Sequence, residues 1–223
     1  NTWSAILPEI SLVVLALSLL LIDMFGGKTG KDVVGKVAVV GQLVLLGLGL
    51  TLLSDNLGFL NQETFSGMLY HSDFGQVMRL FFLTSSILTA FLGSIFLRKH
   101  GLPGTEFYAI LLLVTAAIML LAQSNHFVML FVALETVTIG FYVLVSYNRH
   151  RSNGLEAGLK YLIMGGFSIA ILLMGIVLIY GIASAPGLAG VSGEAMNFSD
   201  LQLFLGLNSD NLIVRTGVLM VIA

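Results

Sequence analysis

Phe127-Val-Met-Leu-Phe-Val-Ala-Leu-Glu135-Thr-Val-Thr-Ile-Gly-Phe-Tyr-Val-Leu-Val-Ser-Tyr147 carries a single formal charge, Glu135, in an otherwise apolar run. The run has neither the two-residue alternation of a half-buried strand nor the one-sided stripe of a soluble helix. Its length matches a helix crossing about 30 Å of hydrocarbon at about 1.5 Å per residue. Glu135 lies eight residues from one end and twelve from the other, too deep for a short carboxylate to reach either interface. On insertion scales an ionised side chain at a helix centre costs about 2.5–3.5 kcal/mol. Burial disfavours its charged form unless a cation is close.

The composition extends this reading to the whole chain. Of 223 residues, 57% are apolar and 10% charged, with a mean hydropathy of +0.99. Soluble domains average about 25% charged residues, so this chain cannot cover a water-facing surface and must face lipid. A net charge of −2 gives no footprint for nucleic acid. Without cysteine the chain has no disulfide, thiolate metal site or iron–sulfur ligand, and its redox compartment is undetermined. Only helices or a closed barrel satisfy their own backbone in lipid, and the runs lack the alternation of barrel strands. The fold class is therefore an all-α integral membrane protein, a polytopic helix bundle.

Six complete spans are expected, at 6–25, 36–54, 76–97, 106–122, 127–147 and 155–182, with a seventh starting near 212. The first is not a cleaved signal peptide, because it opens on Pro8-Glu9 without a basic region and ends in Asp23. Residues 1–223 form a single membrane domain. The connection 183–211 is the longest and holds Pro186 and a short surface helix around Leu201–Leu205. Twelve residues from Leu212 make about 18 Å of helix, so the seventh span is incomplete and the chain reads as part of a longer protein.

Basic residues sort by connection. Lys28 and Lys31, with Lys36 at the edge, then Arg98 and Lys99, then Arg149 and Arg151 lie on the odd ones. The even ones carry no Lys or Arg, and two of them carry acids: Asp55, Glu63, Asp73, Glu194, Asp200 and Asp210. The positive-inside rule then places the odd connections in the cytoplasm, with the N-terminus and 183–211 extracytoplasmic. Arg79 and Arg215 sit near outer helix ends and are expected to snorkel. Glu9 and Asp23, at the two ends of the first span, are expected to be solvated at the interface.

Two residues stand out for chemistry. Glu135 reads as a proton- or ion-handling carboxylate, since an intramembrane acid is a functional-site hypothesis by default. The competing reading is a polar contact that locks two helices. Thr136 and Thr138 add neighbouring hydroxyls. Lys160 lies about 9 Å into the sixth span, four residues after Glu156 and on the same helix face. It is either a snorkelling partner of Glu156 or, facing the interior, a second titratable station. Glu135 lies about 18 Å from the same side, so contact with Lys160 would need water. His71, His100, His126 and His150 are too scattered for a metal site; His126 is a weaker candidate for an exit-side relay. Gly165, Gly166, Gly175 and Gly181 suggest a seam for close helix packing.

Several stretches resemble the antiporter-like subunits of respiratory complex I, NADH–quinone oxidoreductase. They are Glu106-Phe-Tyr-Ala-Ile-Leu-Leu-Leu, Phe131-Val-Ala-Leu-Glu135, Leu155-Glu-Ala-Gly-Leu-Lys-Tyr161-Leu-Ile-Met-Gly165-Gly and Ile179-Tyr-Gly181. Leu7-Pro8-Glu9 with Leu21-Ile-Asp23-Met-Phe25 points to the N-subunit (subunit 2) group. The resemblance runs over essentially the whole chain and implies about fourteen spans with inverted repeats, of which this chain would be the first part. It implies proton translocation through buried stations, with Glu135 matching the fifth-span glutamate and Lys160 the sixth-span lysine. A seventh-span lysine would fall beyond Ala223. It also implies no flavin, iron–sulfur cluster, nicotinamide or other cofactor in this chain, with quinone reduction in other subunits. The expected partners are the other membrane-arm subunits and the lipid bilayer, in a bacterial inner membrane. The competing assignments are a subunit of a multisubunit cation/proton antiporter and a subunit of a ferredoxin- or hydrogenase-linked complex. A purely structural membrane scaffold is the alternative of a different class.

Overall fold

The computed structural model describes residues 6–54, 62–148, 151–184, 196–208 and 210–222. Asp55, Arg149, His150, Pro186 and Glu194 lie outside them, as do the side chains of Lys28 and Lys31. The described chain forms α1 (Leu7–Ser54), β1 (Gln62–Thr64), β2 (Leu69–His71), α2 (Asp73–His100), α3 (Thr105–Leu121), α4 (Phe127–Val145), α5 (Ser152–Ala183), α6 (Phe198–Leu207) and α7 (Leu212–Ile222).

Among the described residues, five segments are long and apolar enough to cross a membrane: Leu7–Phe25, Val33–Thr51, Asp73–His100, Phe127–Val145 and Ser152–Ala183. The expected fourth span is the shorter helix α3, and the expected seventh is α7. The expected bounds agree with the helices to within about three residues.

Helical residues follow one another from Leu7 to Ser54, yet they form two antiparallel arms. A straight helix would hold Leu15 and Gly41 about 39 Å apart at 1.5 Å per residue. Instead a Cβ on Gly41 would lie 2.6 Å from a Leu15 methyl. Leu12, Ala16 and Leu19 of one arm share a buried cluster with Val34 and Ala38 of the other. The chain therefore reverses between the two apolar segments.

Local chemistry fixes the ends of α2. Ser72 accepts a hydrogen bond from the Gly75 amide at 3.0 Å, and Asp73 faces the positive end of the helix dipole. Arg98, Lys99 and His100 occupy the last turn. Gly101 then takes a left-handed φ of 64°, and the Leu102 amide bonds back to the Leu97 carbonyl.

The central helix is α3, with Tyr108, Leu112, Ala116 and Met119 buried against α1 and α2. Its other face meets α4 through Val114, Ala117 and Val137. A second cluster joins the start of α4 to α5, α6 and α7 through Phe127, Ile176, Ile179, Phe204 and Val214. Leu88, Phe91, Ile95 and Met164 point outward, as a lipid-facing surface requires.

The even connections gather at one end of the bundle. The hairpin pairs Gln62 with His71 and Thr64 with Leu69. Its turn passes through three left-handed residues, Phe65, Ser66 and Gly67. The Tyr70 amide donates to the Gln123 carbonyl and the Asn125 amide to the Met68 carbonyl, fastening the hairpin over the α3–α4 turn. Asn197 bridges His126 on the same surface. At the opposite end the Tyr147 hydroxyl donates to the Pro103 carbonyl, joining the α2–α3 turn to the end of α4.

Candidate functional site

Glu135 sits near the middle of α4, and its Oε2 is buried without a hydrogen-bond partner. A buried carboxylate oxygen with no donor is costly. The neighbouring hydroxyls do not relieve it. Thr136 donates to the Val132 carbonyl at 2.8 Å and Thr138 to the Leu134 carbonyl at 2.7 Å, so each spends its proton on its own helix.

Lys160 lies on α5, where its Nζ pairs with Glu156 Oε1 at 2.5 Å. The pair lies on the chain surface, with the Lys160 side chain 73% exposed. The two candidate stations are therefore not brought together: Lys160 has the Glu156 partner expected from the four-residue spacing, and Glu135 keeps an unpartnered oxygen. His126 is committed to the backbone. Its Nδ1 accepts from the Val128 amide at 3.1 Å and caps α4, which places the ring proton of neutral His126 on Nε2.

The structure corrects two expectations. Arg79 does not snorkel and Glu9 is not solvated. They are 5% and 2% exposed and form an ion pair between the first arm of α1 and α2. Arg79 Nη1 donates to Gln76 Oε1 at 3.1 Å, and Gln123 Nε2 donates to Glu9 Oε1 at 3.2 Å. His71, 1% exposed, closes the cluster from the hairpin, with Nε2 2.9 Å from Thr64 Oγ1. Burial and then the Arg79 charge push His71 down from 6.5 to about 4, against a smaller opposing hydrogen bond from Gln123. It is neutral at ordinary pH. Opposite charges at one end of two spans were the available signal, but sequence alone does not say that the two spans touch there.

A second polar contact crosses the core at mid-helix. Gln42 Nε2 and Thr115 Oγ1 both donate to Ser86 Oγ at 2.8 Å, tying α1, α2 and α3 together. Of the expected glycine seam, Gly175 does bring α5 into backbone contact with α7, at Gly217, a position the sequence reading did not include. A Cβ on Gly175 would lie 2.8 Å from the Gly217 carbonyl oxygen. Gly165 receives Tyr142 from α4, whereas a Cβ on Gly166 or Gly181 would meet nothing within 4 Å. Among the described residues no cluster of His, Asp and Glu has the grouping of a metal site.

Residues 124–223 match the family described as NADH:quinone oxidoreductase/Mrp antiporter, TM. The chain is 49% identical to NADH-quinone oxidoreductase subunit N 1 of Opitutus terrae, over 100% of this chain and 44% of that protein. It is 34% identical to subunit N 2 of Roseiflexus castenholzii over 83% of this chain and 36% of that one. A chain in the structure of respiratory complex I from Thermus thermophilus with bound aureothin superposes with a TM-score of 0.64 at 25% identity, covering 95% of this chain and 43% of that one. A chain of the archaeal membrane-bound sulfane sulfur reductase shares the fold, with a TM-score of 0.67 at 21% identity over 96% of this chain and 43% of that one. The chain spans less than half the length of the relatives it matches. With similarity to an N subunit along the whole of this chain and a shared antiporter-like fold, the chain belongs to the NADH:quinone oxidoreductase/Mrp antiporter family of membrane proteins.

Proposed function

We propose that this chain is a proton-translocating part of the membrane arm of an NADH–quinone oxidoreductase, with Glu135 as its proton-carrying carboxylate. The observation that carries the reading is the buried, unpartnered Oε2 of Glu135 in the middle of a membrane helix. A carboxylate fixed by a full set of donors would be a structural polar contact. One with an open oxygen can take up and release a proton as the surrounding charge changes. Lys160 is the second station, on the side taken as cytoplasmic from the basic residues, and its pair with Glu156 holds it when it is not engaged. The redox chemistry lies in other subunits, which this chain meets within the membrane arm.

The test is Glu135→Gln in the assembled complex, with proton pumping and NADH:quinone turnover measured together in membrane vesicles. Pumping is expected to collapse while assembly persists; unchanged pumping overturns the assignment. The family description also names Mrp antiporters, which supports a second reading as a cation/proton antiporter subunit. Co-purification of the full-length protein with flavin and iron–sulfur subunits supports the oxidoreductase, and their absence supports the antiporter.

A further inference from the structure

Glu135 and Tyr142 lie seven residues apart on α4, two turns along nearly one helix face. Helical side chains lean toward the helix N-terminus, which carries the Tyr142 hydroxyl back toward Glu135. That hydroxyl rests on α5 at Gly165, where any Cβ would collide with it. The ring is held edge-on by Tyr161, with centroids 5.2 Å apart and planes at 76°. Ring and hydroxyl thus have a built seat, yet the Tyr142 oxygen is buried with no hydrogen-bond partner. Glu135 Oε2, on nearly the same face of α4, is in the same condition. A buried hydroxyl without a partner is costly, and phenylalanine would fill the same seat without that cost. Two such oxygens on nearly one face of α4 supply polar partners for an ordered water.

We propose that Tyr142 is a positioning residue for proton transfer at Glu135: its hydroxyl donates through a bound water to the carboxylate, and Gly165 provides the room that fixes the hydroxyl there. Tyr142 does not itself ionise. Its O–H orients the water and favours the charged carboxylate, so that a proton arriving from the Lys160 side of the membrane finds an acceptor. This rests on the proton-carrying role proposed for Glu135.

The experiment uses the full-length protein in its parent complex, in sealed vesicles. Tyr142→Phe keeps the ring, the Tyr161 contact and the fit at Gly165, and removes only the oxygen. Assembly and electron transfer should persist. Proton pumping should fall several-fold, and its pH profile should move up by about one unit, the equivalent of one hydrogen bond to a charged group. Gly165→Ala, which displaces the hydroxyl without removing it, should move the profile the same way and decides the matter if Tyr142→Phe assembles poorly. Wild-type pumping with an unmoved profile in Tyr142→Phe overturns the proposal. Where Glu135→Gln abolishes pumping in the same preparation, only the role of Tyr142 falls; where Glu135→Gln pumps normally, the function itself falls.

Discussion

Arg79 presents Nε and Nη2 to one oxygen of Glu9, Oε1, each at 2.8 Å. Gln123 adds a third donor to that oxygen, so the charge of Glu9 is met on one side only. The pair spans two helices and is almost completely buried, so its worth is asymmetric. Forming it gains little over an apolar pair, whereas removing one partner leaves an uncompensated charge. Arg79→Met is expected to destabilise the protein by about 3–5 kcal/mol. The double variant Glu9→Leu/Arg79→Met should recover most of that loss. Thermal unfolding of the purified complex measures both; equal stability of the single and double variants would remove the ion pair from the account.

His71 makes the same region sensitive to pH. Its value in the fold is about 4 against an ordinary 6.5, so below 6.5 the unfolded chain binds a proton that the folded one refuses. Stability therefore falls as pH drops from 6.5 toward 4 and does not fall further through this group below that. His71→Gln, neutral throughout and able to keep a bond to Thr64, should flatten the dependence in that window. Melting temperatures at several pH values read it directly, and parallel curves for the two proteins would exclude His71 as the cause.

The Lys160–Glu156 pair is exposed, and an exposed pair at this spacing contributes less than about 1 kcal/mol. Lys160→Ala should therefore leave assembly and melting temperature close to wild type while lowering the protons pumped per electron pair. Normal pumping stoichiometry in this variant would reduce Lys160 to a surface partner of Glu156.

Gly175 and Gly217 hold α5 and α7 at backbone contact. Gly175→Val would drive methyls into the Gly217 carbonyl and the Met220 and Val221 side chains, costing about 1–3 kcal/mol. Gly181→Ala meets no described atom within 4 Å and should stay within about 1 kcal/mol of wild type. Paired thermal melts give the comparison, and equal losses at both positions would contradict this packing.

The sequence determined the helices and their order. Each apolar run has to satisfy its own backbone in lipid, so length and hydropathy set the elements with no reference to neighbours. Alternation of the basic residues separated two classes of connection. The hairpin, the α2–α3 turn and the α3–α4 turn indeed divide between opposite ends. The place of Glu135 near the middle of an apolar helix was equally local and equally legible. What needed the tertiary structure was every pairing between runs: Leu15 against Gly41, the hairpin seated over Gln123, Glu9 against Arg79, Gln42 against Ser86, and Tyr142 in the notch of Gly165. Lipid solvates all faces of an apolar helix alike, so hydropathy carries almost no information about which face meets which helix. A charge near a helix end reads as snorkelling until a second helix is known to pass beside it. For Glu9 and Arg79 the neighbour is there, and it turns two interfacial charges into one buried pair.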